Sequence, residues 1–187
     1  MRGVLFALLF TMFAASSLAA PPRWNVVPAK SSLSFVVEVN GQRVTGKFAG
    51  FGALIAFDPA DLAHSSVKIT MDMTAVKSGD ATRDAMLLKP DWFNVLDFPQ
   101  AVYEATSFVA KGANRYEALG KLKLKGVTRD VALPFTLTIS GDTAVAKGET
   151  ILARRAFNVG QGKEFETGKP VALNVKVMVN VTATRAK

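Results

Sequence analysis

An all-β fold, an antiparallel eight-stranded barrel with one short helical insertion closing or lining its mouth, is predicted by three features of the sequence. The first is alternation. In "VALNVKVMVNVTATR", residues 171–185, Val171, Leu173, Val175, Val177, Val179 and Val181 share one face, and a period of two over that length marks a strand with one buried side. The second is a slip of phase in "GKFAGFGALIAFD": Phe48 is even, while Phe51, Ile55 and Phe57 are odd. A bulge near Gly50 absorbs the slip and bends the strand, as barrel closure requires. The third is the one stretch that does not alternate, "RDAMLLKPDWFNVLDFP", residues 83–99.

The elements follow in order. Residues 23–29 and 31–39 read as strands, the second with Leu33, Phe35, Val37 and Val39 inward, and Asn40-Gly41 turns it back. The bent strand 42–57 comes next, then 66–76, where Val67, Ile69, Met71 and Met73 alternate with polar partners. Ser78 or Asp80 can cap a helix over Ala81 to Lys89, which Pro90 stops. Asp91 is placed to cap a second short turn through Trp92, Phe93 and Asn94. Strands are expected at 101–110, 115–125, 129–140 and 144–157, with 171–184 as a ninth candidate. Pro134 interrupts "VALPFTLTIS"; lacking an N–H, it demands an edge, a bulge or a break in pairing.

Residues 1–19 read as an export signal. Arg2 precedes an apolar run from Val4 to Ala15, and Ser17-Leu18-Ala19 offers small residues before a cut after Ala19. Residues 20–187 then form one barrel domain and place it in the periplasm. The sequence has no cysteine, which excludes disulfides and thiolate metal sites. Its formal net charge is +8, one less without Arg2, and favours anionic partners such as phosphate head groups or a lipid surface. Export argues against nucleic acid. An antiparallel edge strand would allow a homodimer.

Catalysis finds little support. The single histidine, His64, lies in a loop beside Ser65 and Ser66, whose side chains diverge in an extended segment. One histidine without cysteine argues against a transition-metal site. The glycines of "GQRVTGKFAGFG" fit neither phosphate-loop pattern. No enzyme activity, cofactor or metal is expected.

Four stretches carry a resemblance: "WNVVPAKSSLSFVVE", "GKFAGFGALIAFDP", "RDAMLLKPDWFNVLDFPQAVYEA" and "LGKLKLKGVTRDVALPFTL". In this order and spacing they resemble the YceI-like family of exported, polyisoprenoid-binding, lipocalin-like barrels. The resemblance implies a barrel holding an amphiphilic long-chain lipid: a polyisoprenoid, a polyprenyl phosphate or a quinone. Some members accompany membrane cytochromes, which makes a membrane cytochrome a candidate partner. A closed barrel acting as a non-enzymatic accessory of a membrane redox system is the alternative, and a hydrolase comes third. The family's R-D-x-H-L commonly has histidine where this chain has Met86, which implies that any contact this imidazole makes to a head group in relatives is missing here.

Alternation nominates Phe35, Val37, Phe51, Ile55, Phe57, Met71, Tyr103 and Phe135 as pocket lining. The helical insertion adds Met86, Leu87, Trp92 and Phe93, which either plug one end or wall the pocket as well. Arg83 is the candidate for an anionic head group. Asp84 is expected to pair with Arg155 of "ARRAFNVG" and pin the helix to the barrel.

Overall fold

Nine strands form among the described residues, and they fill eight positions of one closed antiparallel barrel. The computed structural model describes residues 20–187; the export segment expected at 1–19 lies outside the described residues. The strands are β1 (Arg23–Val26), β2 (Ser32–Val39), β3 (Gln42–Ala56), β4 (Ser66–Lys77), β5 (Gln100–Ala110), β6 (Arg115–Leu124), β7 (Val127–Ser140), β8 (Thr143–Ala153) and β9 (Asn174–Arg185). Each pairs with its sequence neighbour from β2 to β9, and β9 returns to β2 to close the ring. β1 and β2 share one position. Both lie between β3 and β9, end to end, separated by a single 3₁₀ turn at Pro28–Lys30. Proline has no N–H for a ladder, so the strand breaks there.

Local chemistry sets the register. The register of β3 against β4 shifts between Phe48 and Gly50, so Phe48 faces Val76 and Phe51 faces Met71, all on the inner side. The bulge therefore turns both phenylalanines inward, as the phase slip requires. Asn40 and Gly41 have φ of 49° and 75°, the left-handed pair that a two-residue hairpin needs. Pro134 ends the β7–β8 ladder: pairing stops at Phe135↔Gly148, although both strands continue.

Several elements differ from expectation, among them β1, which stops at Val26 and not at 29 because Pro28 starts a 3₁₀ turn. β8 stops at Ala153, and Arg154–Phe157 is a 3₁₀ turn ended by Asn158 at φ 56°. The helix α1 covers only Ala81–Leu87. Asp80 caps it, its carboxylate accepting from the Arg83 N–H at 2.7 Å. Asp91 caps no helical turn; its carbonyl instead accepts the N–H groups of Gly160 and Gln161.

The connections sort into two ends. Residues 78–99 and 154–173 lie at one end with the β2–β3 and β6–β7 hairpins; 57–65 and the β5–β6 and β7–β8 hairpins lie at the other. α1 and the turns after it close the first end. No helix among the described residues is long and apolar enough to cross a membrane.

Candidate functional site: a two-chambered apolar interior

Small side chains on the inner face leave the barrel hollow. Ala53, Ala144, Ala146, Gly148 and Ala183 all line a cavity of about 100 Å³ toward the end away from α1. A second cavity, about 80 Å³, lies nearer α1 beside Met71, Met73, Leu122 and Leu152. Ile69, Tyr103, Leu133 and Val179 line both, so they form a neck between adjoining chambers.

Tyr103 is the polar member of that neck. Its hydroxyl donates to the Ala118 carbonyl at 3.0 Å and the Val131 carbonyl at 3.2 Å. Burial pushes its pKa up to about 12. Its ring lies against Gly120, where a Cβ would come within 2.7 Å of the ring; glycine is what lets the aromatic lie flat on the sheet. The other polar groups of the walls are equally satisfied. Trp24 Nε1 donates to the Phe57 carbonyl at 2.9 Å, and Thr150 Oγ1 to the Ala132 carbonyl at 3.0 Å. Among the described residues no charged side chain lines either chamber. Such a lining takes hydrocarbon and excludes ions, because an unpaired charge there loses its hydration.

The end beneath α1 is sealed. Leu87 and Trp92 are buried, and the Trp92 ring meets Phe165 edge-on at 5.0 Å. Arg154, 4% exposed, gives its five N–H groups to the carbonyls of Val159, Gly160, Phe165, Val171 and Ala172. That is the full donor capacity of a guanidinium. Burial, followed by the charge of Arg155, lowers its pKa. Lys125, in the β6–β7 hairpin, donates to the Asn158 carbonyl at 2.7 Å and to Gln161 Oε1 at 3.1 Å. Burial lowers its pKa too, against an opposing pull from Asp91.

The nominated residues divide accordingly. Ile55, Phe57, Tyr103 and Phe135 line the first chamber, and Met71 and Tyr103 the second. Phe35 and Val37 are buried in the core but line neither; Phe35 packs on Phe48 at 5.4 Å. Phe51 faces inward, half-buried, opposite Met71. Met86, Leu87, Trp92 and Phe93 belong to the seal and line neither chamber. Arg83 is committed to Ser78, donating from Nε to its Oγ at 2.9 Å and from Nη2 to its carbonyl at 3.0 Å.

The expected Asp84–Arg155 pair does not form. Asp84 Oδ1 accepts both the N–H and the hydroxyl of Ser78, each at 2.6 Å, and Lys77 Nζ lies 3.7 Å from Oδ2. Arg155 donates to the Gly160 carbonyl and faces Glu166 at 3.8 Å. The reason is local: Ser78 lies just before the helix and presents its donors only six residues from Asp84, a short loop to close. Sequence reasoning passed over Arg154 and chose its neighbour. Only the end of β8 at Ala153 turns Arg154, and not Arg155, into the interior. It also passed over Trp24 and Leu133, although Leu133 alternates with Val131, Phe135, Leu137 and Ile139 and could have been nominated.

Comparison with known proteins agrees with this architecture. The YceI-like domain matches residues 24–183. A UPF0312 protein of Yersinia enterocolitica is 32% identical over 188 residues, covering 97% of this chain and 94% of that one. The crystal structure of Burkholderia cenocepacia BcnA is 33% identical, with a TM-score of 0.82 over 86% of this chain and 100% of that one. A polyisoprenoid binding domain from Saccharophagus degradans shares the fold, with a TM-score of 0.69 at 12% identity over 90% of this chain and 100% of that one. With a closed barrel, a hollow apolar interior and a domain match spanning nearly every strand, this chain belongs to the YceI-like family.

Proposed function

We propose that this protein is an exported, periplasmic carrier that holds the long apolar tail of an amphiphilic lipid, an isoprenoid or a quinone, inside its barrel, and that it acts by binding and not by catalysis. One observation carries the reading. Two adjoining apolar chambers lie inside the barrel, and the polar side chains that line them among the described residues are already bonded to main-chain carbonyls. Such a space favours a hydrocarbon chain by about 25 cal/mol per Å² of apolar surface removed from water, so a few hundred Å² contribute several kcal/mol. Among the described residues no carboxylate, histidine or lysine lines the chambers, a lining suited to binding a hydrocarbon. The Saccharophagus degradans domain is described as polyisoprenoid binding, which supports an isoprenoid tail.

The test is native mass spectrometry of the mature protein from its own periplasm, with organic extraction of whatever is bound. A stoichiometric isoprenoid or quinone is expected. A protein that stays empty when challenged with polyprenyl phosphates, quinones and fatty acids would instead point to the accessory role beside a membrane redox protein.

A further inference from the structure

The barrel wall has a seam. β7 and β8 pair only from Phe135↔Gly148 to Ser140↔Thr143, which leaves 127–134 of β7 and 149–153 of β8 without a common ladder. Pro134 offers no N–H for the next rung. Beyond it, side chains bridge the two edges: Thr150 Oγ1 donates to the Ala132 carbonyl at 3.0 Å, and Arg129 Nε to the Ala156 carbonyl at 3.3 Å. The inner lip opens on the neck, since Leu133 lines both chambers and Val131, Thr150 and Leu152 line the second. The outer lip is apolar: Ala132 is exposed, its cross-strand partner Leu119 is 42% exposed and Ile151 is 64% exposed.

At the head of the seam lies a groove on the outer face. It shares Phe135, Gly148 and Val179 with the first chamber, so the groove and the chamber lie on the two sides of the sheet at these residues, one of them a glycine. Across the groove runs one row of directly opposed residues, Arg115↔Thr136↔Lys147↔Asn180. Arg115 and Lys147 therefore stand two strands apart, about 10 Å. Lys111 and Glu149 also line the groove, but Lys111 is paired with Glu117 at 2.8 Å and Glu149 with Lys176 at 3.1 Å. Arg115 and Lys147 have no carboxylate partner among the described residues.

An amphiphile imposes two demands on its carrier. Its tail needs the dry chambers, while a charged head needs water or cations. At the end beneath α1 all five donors of Arg154 are spent on carbonyls, and Arg83 is tied to Ser78 through Nε and Nη2. We propose that the groove is the head-group subsite: an anionic head, of the phosphate class, sits between Arg115 and Lys147, and the tail passes through the β7–β8 seam into the neck. This rests on the carrier reading above and adds where the head lies and how the tail gets in.

The probes are geranylgeranyl phosphate and geranylgeraniol, which share a tail and differ in charge, together with inorganic phosphate alone. The wild-type protein should bind the phosphate ester about tenfold more tightly than the alcohol, as expected for a charge-assisted contact. R115Q/K147Q should bring the ester down to the level of the alcohol and leave the alcohol unchanged. R185Q, at the same end of the barrel but beside the β7–β8 hairpin and outside the groove lining, should keep the preference. Its guanidinium lies 4.8 Å over the Trp24 ring and 3.6 Å from Asp142. A preference that survives R115Q/K147Q, or that disappears in R185Q, overturns the subsite. Inorganic phosphate binding as tightly as the ester would make the groove a free-anion site and overturn the head-group assignment. Equal binding of both probes by the wild type removes the subsite alone; binding of neither removes the carrier reading and the subsite with it.

The route has its own test. The chain has no cysteine, so A132C/I151C can be bridged with a short bis-maleimide. Bridging should slow loading of geranylgeranyl phosphate at least about tenfold relative to the unbridged variant, since exchange must then await opening elsewhere. Loading at an unchanged rate would exclude the seam as the route.

Discussion

The guanidinium of Arg154 lies 5.9 Å from the centroid of the Trp92 ring, and these two residues join the separate segments that seal one end of the barrel. Trp92 comes from the turns after α1, and Arg154 gathers five carbonyls of 159–172 around itself. Replacing Arg154 by Met strands those carbonyls. The expected loss is about 3 kcal/mol or more. Arg155→Ala, which removes a half-exposed and weakly paired side chain, should cost about 0.5 kcal/mol or less. Urea midpoints of the two variants decide this; equal losses would refute the central role of Arg154.

Asp84 makes its contacts within α1's own approach. The Ser78 hydroxyl, then the Ser78 N–H, hold its carboxyl below the ordinary value. A depressed carboxyl contributes stability above its unfolded pKa of about 3.9, and that contribution is lost as pH falls through the lower folded value. The melting-temperature gap between wild type and Asp84→Asn should therefore be constant near neutrality and narrow below about pH 4. A double-mutant cycle should find coupling between Asp84 and Ser78 and none between Asp84 and Arg155.

Tyr103 titrates in the opposite sense. Burial raises its phenol to about 12 from 10.0, so the native state favours the neutral form. Its contribution is complete below about pH 10 and is lost as pH rises toward the folded value. Tyr103→Phe should be about 1 kcal/mol less stable at neutral pH, for the lost hydroxyl contacts. It should also show a shallower alkaline loss of stability. Parallel wild-type and variant curves between pH 9 and 12 would count against the buried phenol, the window following from its pKa.

Gly46 lies beneath Phe35. A Cβ there would stand 2.2 Å from Phe35 Cζ and 2.7 Å from the Lys77 carbonyl. Gly46→Ala should cost about 1–3 kcal/mol by overpacking. Phe35→Leu in the same chain should recover only part of it, because the Lys77 contact is backbone. Gly52→Ala, in open space, should be neutral or slightly stabilising. Thermal melts of the three variants provide the comparison.

The sequence alone determined the wall. Alternation, the slip between Phe48 and Phe51, the Asn40-Gly41 turn and the proline at 134 each act over a few residues, and each reappears as a strand, a bulge, a hairpin or a break in pairing. Local sterics and missing donors do not depend on distant partners, so they are legible in the chain. The tertiary structure decided what the wall encloses. Whether Phe35 lines a chamber or lies on a glycine depends on Gly46 across the ladder. Whether Arg154 or Arg155 turns inward depends on where β8 releases β9. The hollow interior itself depends on alanines and a glycine from β3, β8 and β9 converging on one level of the barrel. Such space exists only once strands remote in sequence stand side by side, which is why the lining and the seam had to be read from the folded molecule.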